Sequence, residues 1–253
     1  MRNLKLGNFF WARKSQITIF LVLGVALIVG VGLFFLFNDS FETLSSDADP
    51  ITVFVSGCLE ATTQEGIEYL GKTGGYFVPY ERSTVEGIAF YYDGTMVAPT
   101  REKVANELAQ YIDNFLPFCI VDFSSFEDFV VSDGRPKSFV EISDEAVSVR
   151  LDYLVRATKG DTTVALRTFD SRIFSRMGVM HTTAVGITQD SAQRSGDVCV
   201  SCAYEAFSQA DLFGHLYDYD NSTWLFILRD DTIEKDPYYF YFALKKNGVF
   251  NEQ

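Results

Sequence analysis

An uninterrupted apolar segment near the start of the chain constrains its fold more than any other feature. Between Ile17 and Phe37 the only polar side chain is that of Thr18. A helix rises about 1.5 Å per residue, so this segment is long enough to cross the roughly 30 Å hydrocarbon core of a bilayer. Because lipid offers the backbone no hydrogen-bond partners, the segment must be helical there. We therefore predict a transmembrane helix over Gln16–Phe37.

Charge is distributed asymmetrically about this segment. Four basic residues and no acidic residue precede it, namely Arg2, Lys5, Arg13 and Lys14. Because basic residues are retained on the cytoplasmic side, residues 1–15 are predicted to be cytoplasmic and the chain beyond Asn38 extracytoplasmic. A secretory signal peptide has a shorter apolar core and ends at a small-x-small site, which Leu33–Phe37 does not contain. The sequence therefore predicts an uncleaved signal-anchor with a single span, and the membrane is its first partner.

The remainder of the chain is acidic. All 34 acidic residues and 17 of the 21 basic residues follow the apolar segment, which gives this part a formal charge of −17. Such a charge repels nucleic acid and anionic lipid headgroups, so we expect no nucleic-acid partner. Polar and acidic residues up to Pro50 are typical of a linker. We predict a linker over residues 38–50 and one extracytoplasmic domain over residues 51–253.

The hydrophobic pattern of the external part predicts an α+β domain. Helical periodicity follows Pro50 as far as Gly71, and again follows the N-cap Thr100 as far as Pro117. From Ser138 the apolar residues recur at every second position, which is typical of strands joined by short hairpin turns. The predicted strands cover residues 72–79, 85–92, 139–142, 146–155, 162–169, 212–219, 223–229 and 238–245, and a further helix covers residues 171–193. This order predicts an antiparallel β-sheet with the helices packed on one face.

Four cysteines lie in the part of the chain predicted to be outside the membrane. An even number of cysteines in an oxidising compartment indicates disulfides. Cys58 falls on the first predicted helix of the external part and Cys119 directly follows the second, and a bridge between them closes a loop of about 60 residues. On the loop-entropy model such a bridge contributes about 4 kcal/mol to stability.

Cys199 and Cys202 form a C-x-x-C pair, for which three interpretations are open. The sequence favours a local structural disulfide. A zinc site requires four ligands, and the other cysteines and the two histidines are not paired at ligand spacing. A thioredoxin-type redox motif requires a strand-to-helix junction within a βαβ unit, whereas a Ser/Gln/Gly loop precedes this pair.

No catalytic motif is present in the sequence. His181 and His215 are the only histidines, and neither is accompanied by a characteristic nucleophile motif. The paired acids in Asp218–Asn221 and Arg229–Asp231 fall at expected turns, where Asp forms local hydrogen bonds. We therefore predict no catalytic residue, no cofactor and no metal site, and a chain that is not an enzyme. Asn221 begins an N-x-S/T sequon on a predicted turn and is a candidate for glycosylation.

The N-terminal edge of the apolar segment resembles a known processing site. In Arg13–Phe20 a basic pair and a small residue precede the Gln that opens the helix. This arrangement resembles the cleavage region of archaeal type IV prepilin-like (class III) signal sequences. The resemblance implies cleavage between Ser15 and Gln16, which leaves the helix on the mature protein. Pilins of this group usually carry Glu at the fifth mature position, where this chain has Phe20, and this departure disfavours assembly into a filament.

The order of features along the chain is similar to that of a group of uncharacterised archaeal single-pass membrane proteins. The matching segments are Gln16–Phe20, Cys58–Glu60, Gly74–Tyr76, Leu116–Cys119 and Phe240–Ala243. These segments are structural rather than catalytic, so the resemblance implies no activity.

The sequence thus favours a non-enzymatic, membrane-anchored cell-surface protein of the cytoplasmic membrane. Its acidic extracytoplasmic domain is expected to contact an envelope protein or a second copy of itself. The alternative is a type IV pilin-like subunit, cut between Ser15 and Gln16 and packing its apolar segment into a helical core. The acidic break over residues 38–50 opposes that alternative, because a pilin spine usually runs continuously into the globular domain.

Overall fold

The computed structural model describes residues 50–78, 80–232 and 237–246. The predicted transmembrane helix over Gln16–Phe37 and the predicted processing site at Ser15 lie outside these residues. Pro50, the last residue of the predicted linker, is helical. Among the described residues, no helix combines the length and the apolar character that crossing a bilayer requires.

Two antiparallel helices form one side of the domain. Helix α1 covers residues 50–73, and helix α2 covers Arg101–Ile120. The Thr100 side chain accepts a hydrogen bond from the Lys103 amide at 3.1 Å, which is the predicted N-cap of α2. Buried side chains recur at helical spacing along both helices, namely Ile51, Val55, Leu59, Ile67 and Leu70 in α1 and Val104, Leu108, Ile112 and Leu116 in α2. This spacing gives each helix an apolar face towards the core.

The predicted end of α2 at Pro117 is wrong by about one turn. Pro117 lies inside the helix, which continues to Ile120. Proline lacks an N–H, so it removes only its own hydrogen bond to the preceding turn. Its carbonyl still accepts from the Val121 amide at 2.9 Å, and this bond completes the last turn.

A first sheet, sheet I, is antiparallel and centres on one long strand. Its strands are β2 (Val130–Asp133), β3 (Lys137–Ile142), β4 (Ala146–Lys159) and β5 (Thr162–Phe174). Strand β4 pairs with β5 along its whole length on one edge, and with β3 and then β2 on the other. Alternate side chains of β4, among them Val147, Val149 and Leu151, are fully or almost fully buried, and this period of two agrees with the sequence pattern.

A second sheet, sheet II, joins distant parts of the chain. Its order is β1 (Phe90–Tyr92), β8 (Tyr238–Lys245), β7 (Thr223–Asp230) and β6 (Phe213–Asp220). Strands β6, β7 and β8 are antiparallel hairpin neighbours, whereas β1 pairs with β8 in parallel. Helices α3 (Met177–Gln193) and α4 (Val200–Gln209) precede β6 in the chain.

One continuous core connects these elements. Its largest fully buried side chains include Tyr91 of β1, Phe226 of β7, and Phe240 and Phe242 of β8. The same cluster contains buried residues of all four helices and of sheet I. Each sheet therefore buries one face in this core, and the opposite face of sheet II carries a smaller buried cluster of Ile88, Phe90, Leu225 and Ala243.

The α+β class is confirmed, but the expectation of one antiparallel sheet is wrong. The described strands form two sheets, and the second is mixed because β1 adds in parallel to β8. The predicted helix over residues 171–193 begins six residues late, because β5 continues to Phe174 in register with β4. Strand β2 and helix α4 were not predicted.

Candidate functional site

A long-range disulfide joins the two helices of the first pair. Cys58 of α1 and Cys119 of α2 are bonded, with a Cα–Cα distance of 5.6 Å and a sequence separation of 61 residues. Cys58 is only 5% exposed, so its sulfur lies within the helix–helix contact. The bridge considered from the sequence is therefore present, and it fixes α1 against α2.

A local disulfide lies at the start of α4. Cys199 and Cys202 are bonded across a separation of three residues. Cys199 is the N-cap of α4, and its sulfur accepts a hydrogen bond from the Cys202 amide at 3.2 Å. The Ser201 hydroxyl lies 3.5 Å from the same sulfur. Both cysteines are half-buried.

One cation and one anion flank the local disulfide. The Arg194 guanidinium lies 3.9 Å from the Cys202 sulfur and forms an ion pair with the Asp190 carboxylate at 3.1 Å. A cavity of about 160 Å³ adjoins the pair, between α3 and α4. Its lining includes Gly186, Ala203 and Ala206, and the lack of a side chain at the glycine and the small methyl groups of the alanines leave the space open.

Of the three interpretations of this C-x-x-C pair, the structure shows the disulfide. Donor atoms of Asp190, Cys199 and Cys202 lie within 4.8 Å of one another. Zinc is bound by thiolates, however, and two sulfurs bonded to each other offer none. The pair follows α3 and opens α4, so it lies at a loop-to-helix junction and not in a βαβ unit.

The two histidines occupy different environments. His181 of α3 is buried, and its Nε2 donates to the Pro99 carbonyl at 2.9 Å. Burial lowers the pKa of His181, and the nearby Arg101 charge lowers it further. The ring contacts Tyr91 and Phe240 edge-on, so this histidine packs α3 against the core. His215 lies on the exposed side of β6.

The first acidic pair ends at the predicted turn, whereas Asp230 of the second pair is the buried last residue of β7. Asp220 accepts hydrogen bonds from the Ser222 amide at 2.6 Å and from the Ser222 hydroxyl at 2.8 Å. These bonds close the β6–β7 turn, and Asn221 is exposed at its tip, where a sequon is accessible. Its glycosylation stays a prediction.

A buried ion pair that the sequence does not indicate joins three connections of the chain. Arg176, between β5 and α3, pairs with the buried Asp230 at 3.1 Å. The same guanidinium donates to the carbonyls of Ala210 and Asp211, beyond the end of α4. The pair borders a cleft of about 440 Å³. Because the Arg176 guanidinium donates to three acceptors within the fold, this arrangement fixes loops and offers a ligand little free charge.

The exposed face of sheet I is charged and internally paired. Arg150 and Asp170 form an ion pair at 3.2 Å, and Arg167 and Asp152 form another at 3.1 Å. A concavity of about 730 Å³ crosses this face and includes the exposed ring of Phe139. Exposed ion pairs of this kind contribute little to stability and are well hydrated.

The exposed face of sheet II, by contrast, is dominated by aromatic rings. We refer to it as the aromatic face, and it consists of Phe213, His215, Tyr217, Ile227, Arg229, Tyr239 and Tyr241. Register places these side chains in rows across the sheet, with His215, Ile227 and Tyr241 opposite one another on β6, β7 and β8. Phe213 is 57% exposed and Tyr217 is 48% exposed. The Arg229 guanidinium lies 4.9 Å from the Phe213 ring centre.

The turn before β1 reaches one border of the aromatic face. The Tyr219 hydroxyl donates a hydrogen bond to the Glu86 carboxylate, which lowers the pKa of Glu86. Ile88 and Phe90 bury Leu225 and Ala243 next to this contact. Among the described residues of the rest of the face, Phe213, His215 and Tyr217 are exposed, and Ile227 and Tyr241 are partly buried. Sequence reasoning missed this surface, although the alternation of aromatic residues on both sides of β8 was a signal for it.

Comparison with family models, with curated proteins and with solved structures finds no match to this chain.

Proposed function

We propose that this chain is a membrane-anchored extracytoplasmic binding domain whose aromatic face contacts a basic protein of the cell envelope. The exposed aromatic face is the observation that carries the proposal. The anchor and its orientation come from the apolar segment and the charges around it. The two disulfides support the same orientation, because disulfides persist in oxidising compartments outside the cytoplasm.

The composition of the aromatic face suits protein recognition. Tyr, Phe and Arg are enriched at interfaces because they combine large contact area with hydrogen-bonding groups. The face offers Phe213, Tyr217 and Tyr241, with Arg229 beside them. Because these residues stand on paired strands, little conformational entropy is lost when a partner orders them.

Charge indicates the kind of partner. The chain beyond the apolar segment carries a formal charge of −17, so two copies repel each other before their faces meet. A partner with a basic surface is attracted instead, and this attraction weakens as salt screens it. We therefore favour a basic envelope protein over a second copy of this chain.

Photocrosslinking in cells tests the proposal. A photoreactive amino acid replaces Tyr217 on the aromatic face or, as the matched control, Phe139 on the exposed face of sheet I. The expected result is an adduct with a basic envelope protein from position 217 and none from position 139. The adduct is expected to diminish when intact cells are exposed to high salt before irradiation, and to be lost when Phe213 and Tyr241 are both replaced by Ala.

Two outcomes would overturn the assignment. Equal adduct yields from both positions would mean that the aromatic face is not the specific contact surface. An adduct between two copies of this chain would mean that the face mediates self-association and does not bind a basic partner. The pilin-like alternative requires the cut between Ser15 and Gln16, and no observation among the described residues favours it.

A further inference from the structure

We infer that Cys199–Cys202 is a reversible thiol–disulfide exchange site, which is reduced by a dithiol protein of the envelope while the domain stays folded. This inference is independent of the binding proposed for the aromatic face. It concerns the chemistry of the disulfide at the start of α4, and it differs from the role of Cys58–Cys119 in joining two helices.

The first ground is the short separation of the two cysteines. The bond closes only three residues of sequence, whereas Cys58–Cys119 closes 61. A cross-link restricts the unfolded chain less when the loop is short, so its removal costs less stability. Both partners of the local bond belong to the first turn of one helix, and no second element separates when the bond opens.

The second ground is the stabilisation of a thiolate at Cys199. When the bond opens, one sulfur must carry the electron pair. The Cys199 sulfur already accepts the Cys202 amide at 3.2 Å, and the Ser201 hydroxyl lies 3.5 Å away. Helix α4 runs away from this sulfur for ten residues, so the sulfur lies at the positive end of the helix dipole. Thiolates at such positions are stabilised and reactive.

The third ground is the charge next to Cys202. The Arg194 guanidinium lies 3.9 Å from the Cys202 sulfur, and the Asp190 carboxylate holds it there. A guanidinium attracts an incoming thiolate, and Asp190 moderates that attraction because it carries the opposite charge. The two cysteines therefore differ: Cys199 is the better leaving group, and Cys202 lies beside the cation.

The fourth ground is access. Both cysteines are half-buried, and the cavity of about 160 Å³ between α3 and α4 opens beside them. Val200 and Tyr204, on the exposed surface of α4, are each 50% exposed and provide apolar contact area next to the bond. An attacking thiol needs such an approach.

The exchange proceeds in two balanced steps. A thiolate of the dithiol attacks the Cys202 sulfur, the bond to Cys199 breaks, and its electron pair leaves on Cys199 as a thiolate. The second thiol of the dithiol, once deprotonated, attacks its neighbour in the mixed disulfide and releases Cys202 as a thiolate. The dithiol becomes a disulfide and loses two electrons and two protons, and the cysteine pair of this chain gains them.

Redox titration of the purified full-length chain tests the inference. The chain is equilibrated with increasing dithiothreitol, quenched with acid, alkylated, and mapped by mass spectrometry, while circular dichroism monitors the fold. We expect Cys199–Cys202 to be half-reduced at a dithiothreitol concentration at least tenfold below that for Cys58–Cys119, with unchanged helix content. In a time course at a fixed dithiothreitol concentration, Arg194→Gln is expected to slow the reduction of Cys199–Cys202 several-fold without changing the rate for Cys58–Cys119.

A trapping experiment identifies the partner chemistry. Cys199→Ser leaves Cys202 without the neighbouring thiol that would displace the partner, so this variant is expected to accumulate a mixed disulfide between Cys202 and a dithiol protein in cells. Cys202→Ser is the matched control and should accumulate less. The inference is overturned if Cys199–Cys202 resists dithiothreitol until the domain unfolds, or if the two disulfides are reduced together.

Discussion

The two disulfides of this domain have the same covalent chemistry and opposite structural settings. Cys58–Cys119 ties α1 to α2 across 61 residues of sequence, and one of its sulfurs is buried between the helices. Cys199–Cys202 lies within the first turn of α4 and ties that helix to nothing else. The first bond therefore restrains the fold, whereas the second bond can open without separating two elements. Loop length and the elements that are joined, and not the presence of a bond, decide which role each pair has.

The largest expected effect comes from removal of the long-range bond. On the loop-entropy model, Cys58→Ala with Cys119→Ala lowers the free energy of unfolding by about 4 kcal/mol, because the unfolded chain regains a large loop. The matched pair, Cys199→Ala with Cys202→Ala, is expected to lower it by about 2 kcal/mol or less. Urea unfolding of the full-length chain, followed by circular dichroism, measures both. Equal decreases in the free energy of unfolding for the two double variants would contradict the different structural roles assigned to the two disulfides.

Packing at the same helix pair gives a second, smaller effect. A Cβ atom at Gly66 of α1 would lie 2.6 Å from Leu108 Cδ1 and 2.7 Å from Tyr111 Cδ1, both in α2. Gly66→Ala is therefore expected to cost about 1–3 kcal/mol in overpacking, partly offset by up to about 1 kcal/mol of helix propensity.

Gly57, next to Cys58 in the same helix, is the matched control. A Cβ atom there meets nothing within 4 Å, so Gly57→Ala gains helix propensity alone and is expected to stabilise by up to about 1 kcal/mol. Urea unfolding of the two variants measures the difference. Similar values for both would mean that the bond, and not close packing, holds α1 against α2.

Much of the fold could be predicted from local sequence, and its long-range pairings could not. The alternation in β3, β4 and β5 and the short turns between them predicted their hairpins, because both signals are local. The parallel pairing of Phe90 with Ala243 spans most of the domain, and no local pattern encodes it. Helix α4 was missed because its N-cap is Cys199, not a typical capping residue, and only two of its ten residues are buried.

The candidate sites divide in the same way. The cysteine spacing predicted a local pair, but its position at a helix start follows only from the fold. The Arg176–Asp230 ion pair joins positions 54 residues apart in sequence, so neither residue is distinguished before the chain folds.

The smallest expected effect is a difference in acid stability between helices α3 and α4 on one side and the α1–α2 pair on the other. Since Cys199–Cys202 does not tie α4 to another element, the attachment of α3 and α4 to the rest of the domain is non-covalent. His181 donates to the Pro99 carbonyl, and Arg101 donates to the Gly178 carbonyl at 3.1 Å and to the Thr182 hydroxyl at 2.7 Å. One of these contacts depends on a group that titrates near neutral pH.

Burial lowers the pKa of His181 in the folded domain below its value in the unfolded chain. The unfolded chain therefore binds the proton more tightly, and the contribution of neutral His181 to stability is fully present above the unfolded pKa of about 6.5 and declines as the pH falls below it. The decline is at most about 1.4 kcal/mol per pH unit for one group. His181→Gln should remove this part of the pH dependence. When the pH is lowered from 7 to 5, the protection of backbone amides from hydrogen exchange should decrease in α3 and α4. It should stay high at the α1–α2 contact, which is held by the Cys58–Cys119 disulfide and not by a titrating histidine.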